Sequence, residues 1–224
     1  MISALDLVEI TGLSLVITLS PVPVTGQLLL VLTNRTQWTA AALATGWAVA
    51  VVVLCGFAAT GAALLLPQIV VDWAEVPVIT LVVGIGLAGG GLVVWRRPTG
   101  DPDASPSRMA RLFTGLTPTR ALLIGIGYGG LRPKNFIAAL AAGVIIGAGS
   151  SLWEGTVLVV YFAVLASASL AAPVLVYVLG GAQTRDGMRR LQQVLARNGN
   201  RITGAALAVI GVIVAGFGLI QLVS

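Results

Sequence analysis

Apolar residues run along this chain of 224 residues in six long blocks separated by short polar connections. The blocks extend from about Leu5 to Leu32, Trp38 to Leu66, Val76 to Trp95, Thr119 to Ala148, Trp153 to Gly181 and Ile202 to Val223. A helix of about 20 apolar residues, rising 1.5 Å per residue, crosses the roughly 30 Å hydrocarbon core of a bilayer. A helix also satisfies its own backbone groups where no water is present. The pattern therefore predicts an all-α integral membrane protein with six transmembrane helices. Two blocks are interrupted near their centres, the first by Ser20-Pro21-Val22-Pro23 and the fourth by Leu131-Arg132-Pro133-Lys134-Asn135. Proline removes a helix hydrogen bond and clashes with the preceding turn. Both blocks are expected to be opened helices, with Ser20, Pro21, Pro23 and Pro133 setting the breaks.

Composition narrows the class. Hydrophobic residues make up 57% of the chain and charged residues 9%, more apolar than a soluble core of this size requires. There is no histidine, which excludes histidine-based catalysis and histidine metal sites, and the single cysteine, Cys55, excludes an intramolecular disulfide. The connections are too short for a separate soluble domain. Residues 1–224 are read as one transmembrane domain: repeat one about 1–96, a cytoplasmic loop about 97–118, repeat two about 119–224. The first block lacks a basic leader and a small-residue cleavage site, so it reads as a retained helix.

The net charge of +5 does not point to nucleic acid, because the basic residues lie between spans and form no single face. Arg35 follows the first block. Arg96, Arg97, Arg108, Arg111 and Arg120 separate the third from the fourth. Arg185, Arg189, Arg190, Arg197 and Arg201 separate the fifth from the sixth. These are eleven of the thirteen basic residues, all on one side, while Asp6, Glu9, Asp72, Glu75 and Glu154 mark the other. The positive-inside rule makes the basic connections cytoplasmic and both termini extracytoplasmic, in a multi-pass inner-membrane topology.

The two remaining cations, Arg132 and Lys134, fall in mid-span. A cation there costs about 2.5–3.5 kcal/mol on insertion scales, so such residues mark function unless they snorkel to an interface. The break is itself half of a repeated pattern. Pro133 stands 112 positions after Pro21, and each half of the chain has three spans with the first one broken. Three is odd, so the halves enter the membrane in opposite senses. This is the pattern of inverted-repeat transporters, whose discontinuous helices meet at a midplane site.

No acidic residue shares the depth of Arg132 and Lys134. Carbonyls freed at the breaks can take some of their protons, and an anionic ligand can take the rest, since guanidinium and ammonium suit phosphate, sulfate and carboxylate. A cationic substrate would be repelled. Asn135, Thr25 and Gln27 are candidate neighbours in the same site. Tyr128, Tyr161, Ser167, Ser169 and Tyr177 are weaker candidates, because hydroxyls in membrane helices commonly serve interhelical hydrogen bonds. The glycine runs around Gly84, Gly89-Gly90-Gly91 and Gly125–Gly130 have no preceding strand and read as close-packing surfaces, not nucleotide loops. The segment from Thr184 to Arg197 has apolar residues at helical spacing among arginines, as in an amphipathic helix attracted to anionic lipid.

Ser20-Pro21-Val22-Pro23, Thr33-Asn34-Arg35 and Arg132-Pro133-Lys134-Asn135 together resemble the glycolipid-addressing, or sulfolipid-addressing, branch (GAP) of the lysine-exporter superfamily. The resemblance covers nearly the whole chain. It departs from the family pattern at Arg132, where asparagine is usual, and at Asn34, where proline is common. It implies a membrane protein concerned with moving envelope glycolipids. The leading expectation is a secondary transporter that exports or flips an anionic amphiphile, a lipid or glycolipid. An exporter of small anionic or zwitterionic metabolites and a non-transporting subunit of envelope-lipid machinery are the alternatives. An enzyme is not expected, since nucleophile–base pairs, nucleotide motifs and acidic metal clusters are missing, and no cofactor is implied. Expected partners are the anionic lipid substrate and membrane lipids, with a homodimer left open.

Overall fold

The computed structural model describes residues 4–33, 37–65, 76–97, 115–180 and 184–223. Asn34, Arg35, Asp72, Trp73, Glu75, Arg108 and Arg111 lie outside them. Among the described residues eight helices follow in order: α1 Ala4–Thr18, α2 Pro21–Thr33, α3 Gln37–Leu65, α4 Val76–Arg96, α5 Pro118–Gly130, α6 Pro133–Gly149, α7 Leu152–Gly180 and α8 Arg185–Val223. Local chemistry explains several starts. Proline is the first residue of α2, α5 and α6, where its missing N–H is harmless and its fixed φ already helical. Thr117 caps α5 by accepting from the Arg120 N–H at 3.4 Å. Ser151 and Glu154 form a capping box on α7, the Ser151 N–H donating to Glu154 Oε2 at 3.1 Å and the Glu154 N–H to Ser151 Oγ at 3.4 Å.

Among the described residues three helical stretches are long and apolar enough to cross a membrane alone: Gln37–Leu65, Leu152–Gly180 and Arg197–Ile220. The pairs α1–α2 and α5–α6 qualify when each is taken as one bent unit, with bends of 57° and 69°, which gives up to five spans. The apolar part of α4, Leu81–Arg96, is shorter. Trp38, Trp95 and Trp153 are exposed near helix ends, whereas Trp47 is fully buried.

Helix directions follow from which residues meet. Along α3 and α5, Gly46 faces Leu122 and Ile126, Gly125 faces Leu43 and Trp47, and Gly129 faces Trp47 and Ala50. Further on, Gly143 and Gly147 of α6 meet the stretch from Cys55 to Ala62. Residue numbers rise together throughout, so α5 and α6 both run parallel to α3 and continue past it in one direction despite the bend. A hairpin would have reversed the order. α1 runs parallel to α7, since Thr11 Oγ1 meets Tyr161 OH at 3.0 Å and Thr18 Oγ1 donates to the Leu165 carbonyl at 2.6 Å. α4 and α8 are antiparallel: Gly84 faces Ala215, Gly91 faces Ala208 and Gly204, and Gly204 faces Trp95. A Cβ at Gly84, Gly91, Gly204 or Gly211 would strike the facing backbone, so these glycines set the close approach of α4 to α8.

Two apolar clusters hold the helices together. One gathers Ile10, Ile17, Trp47, Val51, Ala139, Ala142 and Phe162 from α1, α3, α6 and α7. The other gathers Leu28, Leu30, Leu43, Ala121 and Met188 from α2, α3, α5 and α8. The basic segment and the sixth block are one continuous helix of 39 residues, about 58 Å long. No proline lies between Arg185 and Val223 to interrupt its hydrogen bonds. Met188 is buried on it, while Arg185, Arg189, Arg190 and Arg197 are exposed.

Candidate functional site

The site begins with carbonyls. A helix leaves its last four C=O groups without intrahelical partners. α1 ends at Thr18, and the Ser20 N–H, which would have served Val16 had the helix continued, turns back to the Thr18 carbonyl at 2.9 Å. α5 ends at Gly130, with the Leu131 N–H on the Gly127 carbonyl at 2.8 Å. Arg132 then takes an extended conformation and caps α6 without a side-chain hydrogen bond to it.

The side chains of residues 132–135 fill these gaps. Lys134 Nζ crosses from α6 to α1 and donates to the Val16 carbonyl at 3.1 Å. Asn135 is fully buried, and its Nδ2 donates to the Tyr128 carbonyl at 3.1 Å and the Gly129 carbonyl at 3.3 Å. Arg132 Nη1 donates to Ser20 Oγ at 3.2 Å, and its guanidinium lies over the Tyr128 ring, 5.2 Å from the centroid. The short link between α5 and α6, with the first turn of α6, therefore braces both breaks. Proline at 133 makes this placement possible, because it starts α6 at once and throws residues 132, 134 and 135 to different sides of the break.

Electrostatically the site is unbalanced. Among the described residues the charged group that bears on Lys134 is Arg132, of like sign. The protein groups these cations touch are a carbonyl, a hydroxyl and a ring, all neutral. Lys134 sits at the C-terminal end of α1, where the helix dipole favours a cation. It also sits in the first turn of α6, where the dipole favours an anion. Leu131 and Phe136, on either side of the cations in sequence, are exposed.

The other sequence candidates are placed differently. Ser20 is buried and joined to Arg132. Thr25 is half-buried in α2. Gln27 is fully buried, and its Nε2 donates to the Ala40 carbonyl at 2.8 Å and the Leu170 carbonyl at 3.0 Å, which ties α2 to α3 and α7. No described contact brings Gln27 to Arg132 or Lys134. Tyr161 pairs with Thr11, and Tyr177 OH accepts from Arg185 Nη2 at 2.9 Å. Some participants do not stand out as candidates in the sequence. Val16 acts through its main chain, which no side-chain pattern reports. Thr11 and Thr18 stand two turns apart on α1 and both bond to α7, and that helical spacing is the signal that could have found them.

Long apolar helices, two proline-opened pairs and a cationic centre between them define a multi-pass membrane protein. Within that class, residues 10–220 match the family model of Sap, sulfolipid-1-addressing protein, and the chain belongs to this family. No curated protein and no solved structure matches it.

Proposed function

We propose that the protein is a secondary transporter that exports or flips an anionic amphiphile, an envelope lipid or glycolipid, across the cytoplasmic membrane. The observation that carries this reading is the pair Arg132 and Lys134 at a helix break, charged alike and touching only neutral protein groups among the described residues. Two cations held together without a carboxylate attract an anion, and sulfate, phosphate and carboxylate all suit them. Leu131 and Phe136 offer apolar surface beside the charges for acyl chains. Family membership supports a lipid-related role.

In this reading the chain has six spans in two inverted repeats. The offset of 112 supports it. Ser20 and Arg132, which bond each other, are 112 apart, and so are Val16 and Tyr128, whose carbonyls are held by Lys134 and Asn135. The parallel pairs α1–α7 and α3–α5 also exchange under this offset. Both termini are extracytoplasmic, and Arg96, Arg97, Arg120 and Arg185, at or beside helix ends, mark the cytoplasmic side. Arg132 and Lys134 bind the head of the substrate, with Ser20, Pro21, Pro23 and Pro133 keeping the helices open around it.

One observation favours a second reading. Lys134 and Asn135 already satisfy helix-end carbonyls, as they would in a non-transporting subunit whose motif only stabilises its own breaks. Reconstitution separates the two. The protein in proteoliposomes should move a fluorescent anionic glycolipid between leaflets and leave its neutral analogue in place. Equal movement of both, or of neither, contradicts the transport reading.

A further inference from the structure

Resting on that reading of the site, we infer that the Lys134–Val16 contact is a gate on one side of the substrate site, and that an anionic headgroup opens it by drawing Lys134 and Arg132 off the protein. Four observations converge. First, Lys134 and Arg132 both bond across to the other broken span, Arg132 to the Ser20 hydroxyl at the break and Lys134 from α6 to the Val16 carbonyl inside α1, while Asn135 bonds back within its own span to Tyr128 and Gly129. Second, the halves it joins are in contact: α1 packs on α6, whereas their counterparts α2 and α5 have no comparable packing. Third, the chain can build this lock on one side only. The position 112 residues before Lys134 is Val22, which has no side-chain donor, although Tyr128, the counterpart of Val16, does offer a carbonyl. Fourth, the lock is made of a cation on a neutral acceptor. An ionised oxygen adds the attraction of opposite charges, which a neutral carbonyl does not offer, so an anion outcompetes Val16 for the ammonium.

The arrangement couples occupancy to opening. With the site empty, Lys134 closes α1 against α6 and Arg132 holds Ser20 at the break. With sulfate, phosphate or carboxylate bound, both cations turn to the ligand and the ties of Lys134 to Val16 and of Arg132 to Ser20 are released. A ligand shifts such an equilibrium only through different affinity for the two states, and here the difference is the pair of hydrogen bonds exchanged. A neutral lipid head cannot make the exchange and leaves the gate shut.

The test uses spin labels on Leu15 of α1 and Ile137 of α6, both exposed, in a Cys55→Ser background, and reads their separation by pulsed electron resonance in dodecyl maltoside. Dodecyl phosphate is the probe, dodecanol the neutral control, and probe binding is measured in parallel by tryptophan fluorescence. Dodecyl phosphate should shift the distance distribution to longer values and dodecanol should not. Lys134→Gln should show the longer distances without any probe, and Lys134→Arg should keep the short ones. Binding of dodecyl phosphate with no change in distance overturns the gate and leaves the anion site standing. Absence of specific binding overturns both. Because the wild-type arm stands alone, misfolding of Lys134→Gln does not rescue the idea.

Discussion

Arg132 donates from Nη1 to the hydroxyl of Ser20 at 3.2 Å, and these two residues are separated by the 112 positions that also separate Pro21 from Pro133. In the proposed repeat these are equivalent points of the two halves of the chain, and they touch. The carbonyls of Val16 and Tyr128, another pair with this offset, are taken by neighbouring residues of a single turn, Lys134 and Asn135. The motif is thus shared between the halves: it belongs to the second in sequence and closes the first in space.

Asn135 should matter for stability more than for charge. It is fully buried and serves two carbonyls at the end of α5. Leaving a buried polar group unsatisfied costs about 1–3 kcal/mol. Asn135→Leu should lower the thermal midpoint in detergent accordingly, and Asn135→Asp should lower it further by removing the donors and adding a buried charge. A melt followed by circular dichroism checks this; an unchanged midpoint for Asn135→Leu would mean that the carbonyls are satisfied by other means.

The glycines of α4 divide into two kinds within one helix. A Cβ at Gly91 meets Ala208 N at 2.5 Å and Gly204 O at 2.7 Å, whereas one at Gly89 meets nothing within 4 Å. Gly91→Ala should therefore destabilise by about 1–3 kcal/mol through overpacking against α8. Gly89→Ala should be neutral or stabilise slightly, since alanine is the better helix former by up to about 1 kcal/mol. The midpoints of the two variants, compared side by side, decide the matter; equal effects would contradict the packing described for α4 and α8.

Much of this architecture is legible in the sequence because membranes impose a simple rule. Apolar length marks α3 and α7, and prolines 21 and 133 stand at the first residue of α2 and α6. The family is legible from its proline motifs. The continuity of α8 is not, because basic composition describes what solvates a segment and not whether its backbone stops. The partner of Lys134 is not legible either. It is a main-chain oxygen, and every residue carries one. Gln27 carries a second kind of signal: a polar residue near a break suggests a site, and its Nε2 also joins α2 to α3 and α7, which the sequence does not show.

Topology is open to direct measurement. Glu154→Cys, at the start of α7, should react with a membrane-impermeant maleimide from outside intact cells. Gly187→Cys, exposed near the start of α8, should react only after the membrane is opened. The reverse pattern would invert the orientation and with it the direction of export.

The central claim is that Arg132 and Lys134 bind an anionic head. Removing one member of a close buried charge contact costs about 2–5 kcal/mol in binding. Binding of an anionic amphiphile and its neutral analogue should be titrated into purified wild type, Arg132→Ala and Lys134→Ala, each shown to be monodisperse. The account predicts at least about tenfold weaker binding of the anion by either variant, little change for the neutral analogue, and partial retention in Lys134→Arg, which keeps the charge in a different geometry. Wild-type affinity for the anion in folded Lys134→Ala and Arg132→Ala would contradict it.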